Sequence, residues 1–426
     1  MKEDFLHYVW KLKHFRFLQA TTTTGVPLEI FSVGEHNQNA GPDFLNARIK
    51  IGGQLWAGNV EIHIKSSDWY LHGHEKDRNY DNVILHVVWE DDIEVFRSDN
   101  SVIPALELKE AVSETTLKNY RALFRKRTAF INCEKDITSV KPIVVQNWLE
   151  RLYFERLEDK AQMVMQELKK SRNDWEAVLF TLLMKNFGLH VNGDAFYSIA
   201  TAVEYKIIRK IRNKPLQLEA LLFGLAGWLA DPGEEQYKLL LHQEYDYLKH
   251  KFKLSETGII PPGFSRLRPA NFPTIRLSQL AVLYVTHQRL FSRLMAAATV
   301  ADFHAIFNIK TTSYWATHYT FGKEIPKREK KLSPAFIQLI IINTILPLKW
   351  CYAQYTGKDS SDDIYRLIRE LQPEDNSIIK KYKALHIHIT SAMESQALLQ
   401  LYRRYCSKQQ CLRCAIGNSL IGSRGK

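Results

Sequence analysis

Residues 60–65 read Val60-Glu61-Ile62-His63-Ile64-Lys65, and this short stretch decides the fold. Apolar and polar residues alternate along it, which is typical of a half-buried β-strand. Because successive side chains of a strand point to opposite faces, Glu61, His63 and Lys65 share one face. The sequence therefore predicts a strand that presents an acid, an imidazole and an amine in one row.

The residues before this strand complete a β-hairpin. Residues 47–51 alternate in the same way, and Gly52 and Gly53 follow them as a turn. Asp43 stands at the start of this first arm, on the strand next to Glu61. We therefore expect the carboxyl groups of Asp43 and Glu61 to lie close together.

The remaining pattern divides the chain into two domains. Around the hairpin it predicts a helix over 4–13, a strand over 26–31, a short helix over 75–82 and a strand over 83–89 that is buried on both faces. Two further strands are expected near 93–96 and 102–108. Helical periodicity then dominates, over 115–128, 142–170, 173–187, 194–211, 215–230, 234–252, 276–296, 333–346 and 360–371, with a last helix ending near Tyr405. We expect an α+β protein, with an α/β domain over 1–112 and an all-helical basic domain over 113–426.

The charge of the chain indicates which class of partner it could bind, and its hydropathy indicates where in the cell it is expected. The chain of 426 residues has a net charge of +12, and the whole excess lies after residue 135, because residues 1–135 have a net charge of −2. Such a surface attracts a polyanion such as nucleic acid, although a solvated face of lysine-rich helices would look the same. The N-terminus has no apolar signal region, and polar residues interrupt the longest apolar run, over 335–348. We expect a buried helix there, no membrane association and a cytoplasmic location.

Asp43 and Glu61 have the chemistry of a metal site. Two carboxylates on adjacent strands can hold one hard ion such as Mg²⁺ or Mn²⁺. The ion would polarise a phosphate and lower the pKa of a bound water. This arrangement resembles the PD-(D/E)-x-K, or restriction-endonuclease-like, nuclease superfamily. The resemblance covers the predicted α/β domain and rests on Pro42-Asp43, on Glu61 eighteen positions later and on the order of elements.

The resemblance implies a mixed sheet flanked by helices and a metal-dependent nuclease. In that superfamily the Asp and the Glu bind the metal, and a Lys two positions after the Glu assists catalysis. Here His63 stands at that position and Lys65 lies one same-face step further. Either residue substitutes for the Lys, or the site is degenerate. The alternative function is therefore a non-catalytic nucleic-acid-binding or scaffold protein.

A second cluster of possible ligands follows the hairpin. His72, His74 and Asp77 have the composition of a transition-metal site, which would suit a hydrolase of a small substrate. They could equally contact phosphate beside the hairpin. His86 alternates with apolar residues, so a satisfied core histidine is expected there.

Three cysteines cluster near the C-terminus, at Cys406, Cys411 and Cys414. In a reducing compartment such spacing favours a metal over disulfides. Cys133 could supply a fourth ligand for zinc or for a 4Fe-4S cluster. The layout resembles that of nucleases in the same superfamily whose iron–sulfur cluster is held by one upstream and three C-terminal cysteines. The alternative is four reduced thiols, and Cys351 is expected to fill a core.

A loop before one predicted helix carries Arg266, Arg268, Asn271 and Arg276. Guanidinium groups match phosphate oxygens in pairs, so this loop could bind substrate. In the alternative interpretation the loop is buried and its arginines cap helix carbonyls.

The whole chain also resembles a bacterial family of uncharacterised proteins, a domain of unknown function. The motifs are Gly41-Pro42-Asp43-Phe44, Val60-Glu61-Ile62-His63, Arg268-Pro269-Ala270-Asn271-Phe272-Pro273 and Cys411-Leu412-Arg413-Cys414-Ala415-Ile416-Gly417. This resemblance implies that both domains form one conserved arrangement and adds nothing about the reaction.

Overall fold

The structure is a computed structural model that describes residues 1–17, 19–125 and 129–422. The chain forms two compact units. The N-terminal unit comprises Met1–Leu149, Lys380–Ile387 and Leu401–Lys426, and the helical unit comprises Glu150–Ile379 and His388–Gln400. Strands give way to helices close to the predicted domain boundary, because the last strand ends at Glu107 and the next helix begins at Glu114.

A mixed sheet forms the centre of the N-terminal unit, as expected for an α+β protein. Its strands are β1 Leu28–Ser32, β2 Glu35–His36, β3 Phe44–Ile51, β4 Gln54–Lys65, β5 Val83–Glu90 and β6 Ala105–Glu107. Their order is β1-β3-β4-β5-β6, with β2 paired to β3. The β1–β3 and β3–β4 pairs are antiparallel, whereas the β4–β5 and β5–β6 pairs are parallel. Within residues 19–125 the predicted strand at 93–96 is reduced to one bridge, between Phe96 and Val102.

The hairpin of β3 and β4 forms as the alternation predicts. Gly52 and Gly53 both have positive φ angles, of 57° and 92°, a backbone conformation that glycine adopts without steric cost. Across the hairpin Phe44 pairs with Val60, which brings Asp43 opposite Glu61.

The α-helices cover most of the remaining described residues. In chain order they are α1 Glu3–Lys11, α2 Asp68–Leu71, α3 Glu114–Phe124, α4 Pro142–Lys170, α5 Trp175–Phe187, α6 Leu189–Thr201, α7 Tyr205–Ile211, α8 Pro215–Leu225, α9 Gln236–Phe252, α10 Pro273–Thr286, α11 Leu290–Ala296, α12 Val300–Ile306, α13 Pro334–Ile340, α14 Leu346–Tyr355, α15 Ser361–Glu370, α16 Ser377–Ala384, α17 Ala392–Gln400 and α18 Ala415–Gly422. The helix predicted over 115–128 ends at Phe124, and residues 126–128 lie outside the described residues.

Two predicted helices are each divided in the structure. The 194–211 segment falls into α6 and α7, and the 276–296 segment falls into α10 and α11. In the second case His287 leaves helical geometry, and its imidazole Nε2 lies 2.8 Å from the carbonyl oxygen of Ile306 in α12. A tertiary hydrogen bond thus ends a helix that periodicity alone would continue.

The longest apolar helix runs without a break from Pro334 to Tyr355. It joins α13 and α14 through a π-helical turn, Ile341–Ile345, and so is longer than the predicted 333–346 segment. By length and composition this is the one helix of the described residues that could cross a membrane, yet 61% of its apolar window is buried within the protein. Length alone does not exclude a span, and the burial is typical of a core helix.

The C-terminal segment belongs to the N-terminal unit. The hydroxyl group of Tyr8 in α1 donates to the carbonyl oxygen of Asn418, at 3.4 Å. The side-chain amide of Asn119 in α3 donates to the carbonyl oxygen of Ile421, at 3.3 Å. The helix α18 therefore packs beside the two helices that precede and follow the sheet.

The helical unit encloses a carboxylate among its apolar side chains. Glu219 in α8 is 1% exposed, and its carboxylate accepts hydrogen bonds from the Trp315 indole at 2.5 Å and the Tyr237 hydroxyl at 2.8 Å. Thr312 donates to the same carboxylate at 3.1 Å. These donors replace the water that burial removes.

Gly58 sets the close approach of β4 and β5, and its replacement by alanine should weaken the sheet. A Cβ atom at this position would lie 2.3 Å from Cγ2 of Ile84 and 2.7 Å from the carbonyl oxygen of Asn82. We expect Gly58→Ala to lower the free energy of unfolding by about 1–3 kcal/mol, measured by urea denaturation. The control is Gly263→Ala, because a Cβ atom there meets nothing within 4 Å. Equal losses in both variants would contradict the steric argument.

Candidate metal centre

Asp43 and Glu61 hold each other in place through the backbone of the hairpin. The backbone N–H of Asp43 donates to Oε2 of Glu61 at 3.0 Å, and the backbone N–H of Ile62 donates to Oδ2 of Asp43 at 3.0 Å. Each carboxylate thus accepts an N–H group from the opposite strand. The proximity expected from the sequence is present, and Glu61 is only 4% exposed.

Imidazole groups surround the other oxygen of Glu61. Oε1 lies 3.6 Å from Nε2 of His63 and 3.3 Å from Nε2 of His74. Nε2 of His63 also lies 3.0 Å from Nδ1 of His72. Within the described residues, His63, His72 and His74 form a group whose ligand nitrogens all lie within 4.8 Å of one another. The strand β4 and the segment after it therefore converge on one point.

Aromatic packing fixes the segment that carries His72 and His74. Trp69 in α2 is fully buried, and its indole N–H donates to the carbonyl oxygen of Phe96 at 3.1 Å. The ring of His74 stacks on Tyr80, with centroids 3.8 Å apart, and meets the Trp69 ring at 5.3 Å. Trp69 and Tyr80 thus pack as core residues, and this packing turns His74 towards Glu61.

His86 is buried in β5, as expected for a core histidine, but it also contacts the site. The parallel β4–β5 register pairs Glu61 with His86. Nε2 of His86 lies 2.8 Å from Nδ1 of His63, so both ring nitrogens of His63 face another imidazole.

Burial controls the protonation of this cluster. It raises the pKa of Glu61 to about 8, with the nearby Asp43 charge as a further cause. It lowers the pKa of His63 to about 2 and that of His86 to about 3, and neighbouring imidazoles add to both shifts. Neutral imidazoles keep a free lone pair, which is the form that binds a metal ion.

The helix α1 contributes residues that the sequence interpretation missed. Nε2 of His7 lies 3.1 Å from Oδ2 of Asp43. Burial lowers the pKa of His7, but the hydrogen bond and charge of Asp43 outweigh it and the net shift is upward. Burial, followed by the charge of Asp43, raises the pKa of Glu3. Glu3 and His7 are four residues apart, which places both on one face of the helix. This spacing was the sequence signal that could have identified them as neighbours.

Lys65 and Asp77 have other contacts. The Lys65 side chain is 50% exposed, and its Nζ lies 3.8 Å from Oδ2 of Asp92. The carboxylate of Asp77 accepts the backbone N–H of Asn79 at 2.9 Å and caps a short 3-10 helix. Neither residue is in the group of close ligand nitrogens.

All four proposed cysteine ligands lie in the N-terminal unit, each within electrostatic range of the others. Hydrogen-bond donors surround their sulfur atoms. The Tyr382 hydroxyl lies 3.4 Å from Sγ of Cys406, and the Asn132 amide lies 3.6 Å from Sγ of Cys411. The sulfur of Cys414 accepts the backbone N–H groups that follow it and the Trp148 indole N–H.

The spacing of the sulfur atoms bears on the choice of metal. A tetrahedral zinc ion with Zn–S bonds of about 2.3 Å holds its sulfurs about 3.8 Å apart. Among the residues that the structure describes, no three cysteine sulfurs all lie within 4.8 Å of one another. Burial raises the pKa of Cys133, Cys406, Cys411 and Cys414, so the metal-free thiols are protonated. Cys351 is buried in α14 of the helical unit.

The predicted phosphate-binding loop is divided between surface and core. Arg266 and Arg268 are exposed. Arg276 is 5% exposed, and its guanidinium donates to Oδ1 of Asn271 at 2.6 Å and to Oε1 of Gln279 at 2.9 Å. Its guanidinium carbon also lies 3.5 Å from the ring centroid of Phe336. Arg276 and Asn271 therefore hold the loop together, and only the other two arginines face solvent.

Comparison with known proteins gives one match. A family model described as "Protein of unknown function (DUF2851)" matches residues 3–377. No curated protein and no solved structure matches the chain.

The buried carboxyl of Glu61 predicts a pH dependence for the stability of the metal-free protein. Its pKa rises from the ordinary 4.5 to about 8 on folding, so the folded state binds the proton more tightly than the unfolded chain. The free energy of unfolding should therefore fall as pH rises through this window. Glu61→Gln, which cannot ionise, should lose less stability over the same range.

Chemical denaturation in the presence of a chelator, at several pH values from 5 to 9, measures this difference. The control is Glu29→Gln, because Glu29 is exposed on β1. Parallel stability curves for the wild type and Glu61→Gln would show that Glu61 titrates normally.

Proposed function

The chain belongs to the DUF2851 family of proteins of unknown function, and we propose that it is a divalent-metal-dependent nuclease that hydrolyses phosphodiester bonds in nucleic acid. The observation that carries this proposal is the convergence of Asp43 and Glu61 with the imidazoles around them. Along the chain a helix, four strands (β2 has only two residues), a short helix and a further strand follow one another, and this order supports the proposed likeness to restriction-endonuclease-like nucleases.

The proposed chemistry divides between the metal and the protein. A divalent ion held by Glu61, Asp43 and the imidazoles beside them would polarise the scissile phosphate and lower the pKa of the attacking water molecule. Both side-chain contacts described for Asp43 use Oδ2, so Oδ1 is the oxygen that can orient this water. The raised pKa of His7 favours its protonated form, which can stabilise negative charge on the phosphate or protonate the leaving oxygen.

The charge of the N-terminal unit supports a polyanionic substrate. No acidic residue follows Glu394, whereas Arg403, Lys408 and Arg413 lie in the C-terminal segment, which belongs to the same unit as the site. Arg413 is near enough to His36 in β2 to contribute to the lowering of its pKa, behind burial and nearer charges. A basic surface beside a metal site favours binding of a nucleic-acid backbone.

We further propose that Cys133, Cys406, Cys411 and Cys414 bind a 4Fe-4S cluster rather than zinc. Each thiolate of such a cluster binds a different iron atom, which spaces the sulfurs more widely than one zinc ion does. The hydrogen-bond donors around the sulfurs would stabilise the negative charge of the ligated cluster. A reducing compartment such as the cytoplasm would keep these thiols available.

Purified full-length protein should cut single-stranded DNA, double-stranded DNA or RNA when a divalent metal is supplied. Glu61→Gln should abolish cleavage, because it removes a carboxylate charge from the metal site. Gel assays with Mg²⁺, Mn²⁺ and Zn²⁺ measure this. Full activity of Glu61→Gln would refute the assignment of Glu61.

Two variants complete the cleavage experiment. Glu29→Gln removes an exposed charge from the same sheet and should leave cleavage intact. Lys65→Ala should cost less than about tenfold in rate, whereas loss of a general acid or base typically costs about 10²–10⁴-fold. Nucleic-acid binding without cleavage of any substrate, independent of metal, would favour the non-catalytic alternative instead.

Protein purified without oxygen should be brown and should contain about four iron atoms per chain. Cys411→Ser should lose the colour and the iron, because it removes one cluster ligand. Cys351→Ser, in α14, should keep both. Absorption spectroscopy and elemental analysis measure these outcomes, and stoichiometric zinc without iron would contradict the cluster.

A further inference from the structure

We infer that His63, His72 and His74 form a binding site for a transition-metal ion of the zinc type, with one coordination position open to solvent and the carboxylate of Glu61 beside it. This inference rests on the proposed function in one respect only. The proposed nuclease needs a divalent ion at this site, and the inference says which kind of ion binds there. His63, which the sequence placed beside the metal as a catalytic assistant, becomes a ligand.

The ligand nitrogens of the group lie close enough together for one ion. Ligands about 2.0–2.1 Å from zinc lie about 3.3 Å from one another. The observed separations are 3.0 Å between the nitrogens of His63 and His72, 3.3 Å between His74 and Glu61, and 3.6 Å between His63 and Glu61. The His63–His72 separation is close to that of two zinc ligands, and the three ligand nitrogens all lie within 4.8 Å of one another, so one ion can reach all three imidazoles while Glu61 lies beside His63 and His74.

The buried nitrogen of His74 points to a ligand. Nε2 of His74 is shielded from solvent and makes no hydrogen bond within the described residues. It is held in place by stacking of its ring on Tyr80, and it faces Glu61. An unpaired polar atom inside a protein is costly, and a metal ion at this point would satisfy it.

His86 acts as a positioning residue for His63. A ligating imidazole usually donates its other N–H group to an acceptor, which fixes its tautomer and orientation. Nδ1 of His63 lies 2.8 Å from Nε2 of His86. Donation from Nδ1 of His63 to His86 leaves the Nε2 lone pair of His63 aimed at His72 and Glu61.

The exposure of the ligands leaves room for a substrate. His63 is 1% exposed, His74 is partly buried and His72 is exposed. A catalytic zinc site combines protein ligands with an open position for water or substrate. Here the open side is the side of His72, where the water that attacks a phosphate would bind.

The ligand set also selects the ion. Imidazole favours zinc, cobalt, nickel, copper and iron, whereas Mg²⁺ requires oxygen ligands in an octahedral arrangement. Three imidazole ligands therefore predict that Zn²⁺ or Co²⁺ occupies the site in preference to Mg²⁺.

Cobalt provides a direct test, because its visible absorption reports the number and type of its ligands. Full-length protein is freed of metal with a chelator and titrated with Co²⁺ alone. We expect an absorption spectrum typical of nitrogen and oxygen ligands. His72→Ala should raise the Kd for Co²⁺ at least about a hundredfold, above the loss typical of an outer-shell change.

Three variants make the test specific. His72→Asp keeps a ligand atom and should recover part of the affinity. His250→Ala removes a surface histidine of α9 and should bind Co²⁺ like the wild type. A triple variant with Cys406, Cys411 and Cys414 changed to serine separates the two sites, since it removes thiolate-to-cobalt absorption and should keep the nitrogen-type spectrum.

Two outcomes would overturn the inference. One is equal Co²⁺ affinity in His72→Ala and the wild type. The other is a spectrum of thiolate type alone, lost in the triple cysteine variant. The proposed nuclease activity fails separately, if the cobalt- or zinc-loaded protein binds metal as expected but cuts no nucleic acid. Conversely, Mg²⁺-dependent cleavage that persists in His72→Ala would leave the nuclease standing without this site.

Discussion

A carboxylate removed from water is the constraint on which the N-terminal unit depends. Glu61 is almost fully buried opposite Asp43, and an isolated buried charge is strongly unfavourable. One oxygen of Glu61 accepts a backbone N–H group from β3, and the other faces two imidazoles. The sheet register, the helix α2 and the stacked ring of His74 all serve to keep these partners in reach, so the fold and the site share the same interactions.

Most residues of the site are close to one another in the sequence, so a few consecutive elements of the sheet are enough to bring them together. Residues 61–86 supply Glu61 and four imidazoles, because β4, α2 and β5 follow one another and the parallel β4–β5 pair returns the chain to the same edge. Asp43 comes from the start of the hairpin, just before β3, and α1 adds His7 beside it. The C-terminal segment then packs against α1 and α3, which places basic residues in the same unit.

The parts of this arrangement that could be predicted from sequence depend on short-range periodicity. The alternation over 60–65 and the two glycines fix the hairpin, and hence the approach of Asp43 to Glu61. The same alternation placed Lys65 with His63, but burial ends before Lys65, where the solvent and Asp92 are its partners. His7 and the return of the C-terminus depend on how separate elements pack, and the end of α10 depends on a hydrogen bond to α12. The spacing of Glu3 and His7 shows that they share a helix face, but local patterns do not show which strand that face packs against.

The two groups of metal ligands in the N-terminal unit differ in spacing as well as in chemistry. Thiolates bind zinc readily, so ligand softness alone would assign zinc to the cysteines. Within the described residues no three cysteine sulfurs lie within 4.8 Å of one another, however, whereas the ligand nitrogens of His63, His72 and His74 do. The spacing of the side chains therefore favours the opposite of the assignment that composition suggests. Under the two proposals, the imidazoles would hold a single ion and the four cysteines a larger inorganic group.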